Sequence, residues 1–181
     1  MVILCDGLDR VGKDTLVDYI RSLVKTPYVT IRHEGKPPKG VDAYQWSISH
    51  YEYYFSQLAE CDWLDETIIS NRTHIGEYCY GNLYRGYNPD FIWELEDEFL
   101  GESTEDVYLI VLVDSAKNIM SRTDGLSIEQ DELEYTRSRD KFITAFGISK
   151  IKNKILIDLD IGSGSRPIAE VHKQVKEFIG V

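Results

Sequence analysis

A glycine loop set between an apolar run and a helix-periodic segment constrains this chain more than any other feature. Gly7-Leu8-Asp9-Arg10-Val11-Gly12-Lys13-Asp14-Thr15 follows Met1-Val2-Ile3-Leu4-Cys5, which reads as a buried strand. Leu16, Tyr19, Ile20, Leu23 and Val24 then recur with the spacing of one apolar helix face. Strand, loop and helix in that order is the setting in which a G-x-x-x-x-G-K pattern binds phosphate. Backbone N–H groups line a concave nest, the helix N-terminus adds partial positive charge, and the lysine reaches the β- and γ-phosphates. Gly7, Leu8, Asp9, Arg10, Val11, Gly12, Lys13, Asp14 and Thr15 are therefore the expected contacts of an ATP phosphate chain.

The position after the lysine ordinarily carries Ser or Thr, whose hydroxyl ligates Mg²⁺. Asp14 stands there instead, with Thr15 behind it. A carboxylate oxygen is an equally hard ligand, so Asp14 is the expected metal contact, and Asp9 is placed to help hold the ion through water. A negative charge beside triphosphate is unfavourable without the ion, which predicts a strict requirement for Mg²⁺.

At 181 residues the chain is long enough for one domain with a sizeable core and short for two. Its net charge of −11 counts against a protein that grips long nucleic acid by its backbone, because such binding needs a basic patch. Cys5, Cys61 and Cys79 form no C-x-x-C pair and suit a reducing compartment, so a cytoplasmic location is expected. No apolar run reaches membrane-spanning length, and the first residues read as a core strand rather than a signal peptide, so no membrane partner is expected.

Further apolar strands are expected at Tyr28–Arg32, Thr67–Ser70, Val107–Val113 and Lys154–Asp158. Helices are expected over Val41–Asp62, Ile75–Tyr84, from Asn88-Pro89 onward, near Ser115–Ser121, from about Ile128 to Phe146, and from Ile168 to the end. Alternation of strand and helix over one domain, residues 1–181, predicts a parallel sheet covered on both faces. Ligands of such folds gather at the carboxyl ends of the strands. That rim collects the glycine loop, His33–Gly40, Asn71–His74 and the loops after Val113 and Asp158.

Arg10 is expected beside the transferred phosphoryl group, where a planar guanidinium suits bidentate contact with phosphate oxygens. Asp9 can accept from an acceptor hydroxyl, and Arg72 is placed to clamp a second phosphate. Asp9, Arg10, Lys13 and Arg72 are thus the expected catalytic set. Glu77 and Tyr80, one helical turn apart, are candidates for fixing an acceptor sugar or phosphate. Tyr51, Tyr54 and Phe55 offer an aromatic face for a nucleobase, with Tyr54 the expected contact. His74 reads as a local hydrogen-bonding residue. Arg122, Arg137 and Arg139 flank a lid over about 122–139, hinged at Thr123-Asp124-Gly125, in which Arg122 would meet the nucleotide and Arg137 and Arg139 the acceptor.

The glycine loop with its Asp9-Arg10 pair closely resembles that of the thymidylate kinases whose loop carries a catalytic arginine. Asn71-Arg72-Thr73 is similar to their Asp-Arg-Tyr/Phe segment, whose arginine binds the acceptor monophosphate. Thr30-Ile31-Arg32-His33-Glu34-Gly35 resembles their Thr-Arg-Glu-Pro-Gly loop, which adds Glu34 to the substrate set, and Val113-Asp114 to Arg122 resembles the stretch before their lid. Asn71 for aspartate, Asp14 for Ser or Thr, and Thr73–Gly81 depart from the pattern; Thr73–Gly81 and the Gly12-Lys13-Asp14-Thr15 ending look more like phage-encoded nucleotide kinases. The resemblance implies a P-loop NTPase three-layer sandwich with strand order 2-3-1-4-5 and a lid, and a homodimer paired through helices. It implies ATP- and Mg²⁺-dependent phosphoryl transfer to a deoxynucleoside monophosphate, thymidylate in the first place. Two alternatives stand beside it: a kinase of a hydroxyl on a nucleoside or on 5-hydroxymethyluracil in DNA, and a nucleotide-binding protein without catalysis.

Overall fold

The computed structural model describes residues 1–61, 66–101, 106–122, 128–129 and 131–181. Strands β1 (Val2–Gly7), β2 (Tyr28–His33), β3 (Glu66–Asn71), β4 (Val107–Val113) and β5 (Asn153–Asp158) form one parallel sheet, ordered β2-β3-β1-β4-β5. In the register of the central strands, Val2 lies beside both Ile68 and Val107, and Cys5 beside both Asn71 and Ile110. β1 is buried along its whole length and β4 at all but one position, as strands covered on both faces must be. β2, at the edge, is the most exposed.

The helices are α1 (Lys13–Leu23), α2 (Ala43–Glu60), α3 (His74–Tyr84), α4 (Phe91–Leu100), α5 (Ala116–Met120), α6 (Glu132–Ile148) and α7 (Ile168–Ile179). α1 buries Leu16, Val17 and Ile20 against β1 and β3 and meets α7, whose Val171, Val175 and Ile179 form a stripe at four-residue intervals. α3 and α6 pack on each other and on β1 and β4, and α2 packs on α4. This is the three-layer architecture and strand order expected from the sequence. No helix among the described residues is long and apolar enough to cross a membrane.

Capping explains where helix boundaries depart from those read from periodicity. α2 starts at Ala43 because Asp42 accepts from the Gln45 N–H at 3.0 Å. α6 starts at Glu132, not near Ile128, because Asp131 accepts from the Glu134 N–H at 2.9 Å. α4 starts at Phe91, two residues beyond Pro89. Asp62 and the expected hinge Thr123-Asp124-Gly125 lie outside the described residues.

Candidate active site

The glycine loop is tied down from two sides. Gly7 lies at φ 136°, and a Cβ there would sit 2.0 Å from the Leu112 carbonyl oxygen, so only glycine lets β1 turn this close to β4. The Leu8 N–H donates to that same oxygen at 3.2 Å. Leu8 and Val11 turn their side chains into the core, which anchors the loop from beneath. Gly12, at φ 87°, opens α1 without a side-chain cap, as Asp90 and Pro167 do α4 and α7, whereas Asp42, Thr73, Ser115 and Asp131 cap α2, α3, α5 and α6. An uncapped helix start with a lysine in its first turn is suited to an anion.

Lys13 is only 6% exposed, and its ammonium donates to the Gly7 and Leu8 carbonyls at 2.9 and 2.5 Å. Burial pushes its pKa down, and the nearby Asp6 and Asp9 carboxylates oppose that shift. Among the described residues two non-glycines have positive φ, Arg10 at 64° and Arg72 at 67°. Such backbones are costly for side chains with a Cβ and gather where function demands them. Both arginines were marked by sequence as phosphate contacts. The Arg72 N–H is fixed by the Cys5 carbonyl at 2.9 Å, and its guanidinium reaches Asp9 at 3.5 Å while the side chain stays 57% exposed. Arg10 donates to the Arg122 backbone carbonyl at 3.0 Å, and the Arg122 guanidinium pairs with the wholly buried Asp114. Arg122 is therefore held beside the loop from β4.

Two clefts open on this rim. One, of about 240 Å³, is lined by the loop residues Asp9, Arg10, Gly12, Lys13, Asp14 and Thr15, with Arg72 at its edge. The other, of about 370 Å³, runs from Asp6 and Gly7 past Arg72 to Glu34, Tyr51, Glu77, Tyr80 and Arg85. Asp9, Lys13 and Arg72 line both. The first has the composition of a phosphate site, and the second has the size and mixed walls of a small-molecule site.

Asp6 builds the junction, although nothing in the sequence reading singled it out. Its carboxylate is buried and accepts from the Gly7 N–H at 2.8 Å, the Thr73 N–H and hydroxyl at 2.7 Å each, and the Gly76 N–H at 2.8 Å. The end of β1 is thereby bolted to the start of α3, with Arg72 just before the bolt. Its sequence signal is a lone acid closing an apolar strand immediately before the glycine loop.

The wall of the larger cleft is a set of satisfied carboxylates. Glu34 takes Arg32 Nε at 3.0 Å on one oxygen and His50 Nε2 at 2.5 Å on the other. Glu77, 2% exposed, accepts from Ser47 Oγ at 2.9 Å, from Tyr87 and from Arg85. Lys36, on the His33–Gly40 loop expected at this rim, and Arg85 also line the cleft; Arg85 has no such signal, because it lies eight residues beyond Glu77, and Tyr87 arrives from the following turn. Tyr80 lines the cleft with a buried hydroxyl that has no hydrogen-bond partner.

Three expectations need correction. Tyr54 offers no face to a ligand: it is fully buried, donates to Ser70 Oγ at 3.0 Å, and lies under the Arg32 guanidinium. Tyr51, one turn earlier, is the residue of this aromatic run that lines the cleft. Arg137 is exposed on α6, and Arg139 pairs with Asp158 at the end of β5 at 2.5 Å, so neither lines either cleft. His74 is a hydrogen-bonding residue, but its partner is not local: Nε2 meets Glu96 Oε2 at 2.8 Å in the core, 22 residues along the chain.

Among the described residues no three His, Cys, Asp or Glu side chains form a self-sufficient metal site. Asp14, exposed on the smaller cleft, is the hard oxygen donor that suits Mg²⁺ shared with phosphate oxygens.

No protein-family model matches the sequence, and no curated protein matches it in sequence. Solved structures resemble it over nearly its whole length. The thymidylate kinase of Candida albicans superposes with a TM-score of 0.63 at 17% identity, covering 99% of this chain and 90% of the other. The YorR protein of Bacillus subtilis, solved in complex with phosphorylated GDP, gives 0.67 at 13% identity over 99% and 96%. The thymidylate kinase of Ehrlichia chaffeensis gives 0.59 at 17% identity over 98% and 97%. The chain has the P-loop kinase fold of the thymidylate kinases, and at these identities the likeness is one of fold.

Proposed function

We propose that this protein is an ATP- and Mg²⁺-dependent kinase that phosphorylates a deoxynucleoside monophosphate, with thymidylate as the leading acceptor. The observation that carries the reading is the pair of clefts sharing Asp9, Lys13 and Arg72. A donor phosphate chain in the loop and an acceptor phosphate in the larger cleft would meet at those three side chains. Phosphoryl transfer needs little covalent help; positioning and charge neutralisation do most of the work. Lys13 exchanges its two carbonyl partners for phosphate oxygens and tracks the transferred group. Arg72, exposed at the junction, clamps the acceptor phosphate, and Arg10 adds positive charge from the donor side. Asp14, together with the nucleotide, would hold Mg²⁺, which would add further neutralisation.

The larger cleft supports an oxo base. Each oxygen of Glu34 and Glu77 already has a donor partner, and Arg85 adds a donor to the same wall. A guanidinium only donates, and Arg85 uses Nη1 on Glu77 while lining the cleft. O4 of thymine matches that donor. A second reading keeps the chemistry and changes the base: guanine offers O6 and N7 to an arginine fork, and the YorR protein was solved with phosphorylated GDP.

ADP release with ATP and Mg²⁺ against a panel of monophosphates, nucleosides and hydroxymethylated DNA tests the reading. Stimulation by dTMP is the expected result; stimulation by DNA or nucleosides alone contradicts it. Arg85→Gln is expected to lower kcat/KM for the preferred oxo nucleotide about 10- to 100-fold, and to leave dCMP, whose N4 amine only donates, near its starting value. An equal loss for both nucleotides would remove Arg85 from base recognition.

A further inference from the structure

We propose that Asp14 and Asn71 work as one donor–acceptor unit, in which the carboxamide on β3 holds the carboxylate on α1 at the metal-facing edge of the donor cleft. Asp14 is the catalytic-site ligand in this unit and Asn71 its positioning residue. The inference rests on the reading of the smaller cleft as the nucleotide phosphate site.

Asn71 closes β3 and is 1% exposed, while Asp14 is exposed in the first turn of α1. Asn71 Nδ2 donates to Asp14 Oδ1 at 2.5 Å and lies 3.4 Å from His33 Nε2. The carboxamide orientation follows from its neighbour, because the reversed amide would aim an oxygen at a carboxylate. Asn71 Oδ1 is buried and has no hydrogen-bond partner. A buried acceptor left unused is costly unless a ligand or its water supplies the missing donor.

The two residue types are matched to each other. A hydroxyl after the loop lysine can donate to a carboxylate on the neighbouring strand and still offer a lone pair to a metal. A carboxylate in that place only accepts, so its strand partner has to donate and has to be uncharged, since a second carboxylate at 2.5 Å would repel it. Asparagine meets both conditions. The negative charge thus sits on α1 facing the cleft, and not on β3 behind it. Lys13, Asp9 and Arg72 line the same cleft and complete its charge pattern. Free polyphosphate approaching this edge meets an anion, whereas a metal–polyphosphate complex meets a hard oxygen ligand held in place. The unit therefore selects metal-bound over metal-free nucleotide at the binding step, before any transfer.

The test is a mutant cycle read by binding rather than turnover. Affinity for a fluorescent ATP analogue is measured with Mg²⁺ and with chelator, for the wild type, Asp14→Ser, Asn71→Asp, Asn71→Leu and the double variant D14S/N71D, with thermal melting to confirm that each is folded. Wild type is expected to bind the metal form at least about tenfold more tightly than the free form. Asp14→Ser and Asn71→Leu each narrow that ratio, the second because the carboxylate is still present and no longer held. Asn71→Asp alone weakens metal-nucleotide binding. The double variant, which reverses the donor and acceptor, recovers the ratio, with a coupling of about fivefold or more relative to the two single changes. Additive effects in the cycle, or a wild-type ratio in Asn71→Leu, would overturn the unit while leaving the nucleotide site in place. Failure of the wild type to bind nucleotide under either condition would instead overturn the donor-site reading, and the unit with it.

Discussion

Lys13→Met is expected to lower the rate of phosphoryl transfer by about 10²- to 10³-fold with little change in the fold, because it removes a preorganised charge at the point where both clefts meet. The side chain is 6% exposed, and methionine keeps most of its buried apolar stem. The polar partners lost are the Gly7 and Leu8 carbonyls, at 2.9 and 2.5 Å. Burial already works against the charged ammonium, so a neutral replacement gives back part of that cost. The melting temperature is expected to stay within a few degrees of wild type. The two-part outcome is what identifies a functional charge: transfer falls in kcat, and stability does not. A loss of stability as large as the loss of rate would make Lys13 a structural residue of the loop.

Asp6→Ala is expected to lower both stability and transfer, and for one reason. Three backbone N–H groups, of Gly7, Thr73 and Gly76, and the Thr73 hydroxyl end on this carboxylate. Its removal leaves buried donors without acceptors, at a cost of about 2–5 kcal/mol for the set, since hydrogen bonds to a charged acceptor are among the stronger ones. Water entering the junction would repair part of this. Arg72 directly precedes the unbolted residues, and its positive-φ backbone depends on its neighbours for support. Denaturant unfolding measures the first loss. Transfer assayed well below the melting transition measures the second, which is expected to appear as a raised KM for the acceptor. Unchanged acceptor affinity in a destabilised protein would separate Asp6 from the site.

How far the sequence was legible depends on the range of the interaction. Val107–Val113 is a strand because seven consecutive apolar residues suit a place between two helical layers, and that requirement is local. The glycine loop was legible because its spacing, its strand and its helix are contiguous. Arg10 and Arg72 could be read as site residues from the loops they occupy, but their shared positive φ belongs to the folded chain. Tyr54 was misread because an aromatic run on α2 does not say which ring faces the core; packing on Ser70 and Arg32 decides that. Arg139 was misplaced because its partner, Asp158 at the end of β5, lies 19 residues away and meets it only in the folded chain. Glu77 was found and Arg85 missed, since their pairing spans eight residues and closes through the end of α3. The Asp14–Asn71 contact joins residues 57 positions apart, so two departures that look unrelated in the sequence become one interaction in the fold.

The central claim is that the two clefts hold a phosphoryl donor and a nucleotide acceptor, and transfer of label from γ-³²P-ATP tests it most directly. With Mg²⁺ and dTMP, label is expected in a nucleoside diphosphate, to disappear in Lys13→Met, and to fall when chelator replaces the metal. Label found only in inorganic phosphate, or in no product with any nucleotide acceptor, would contradict the account and leave the loop as a nucleotide-binding site without transfer.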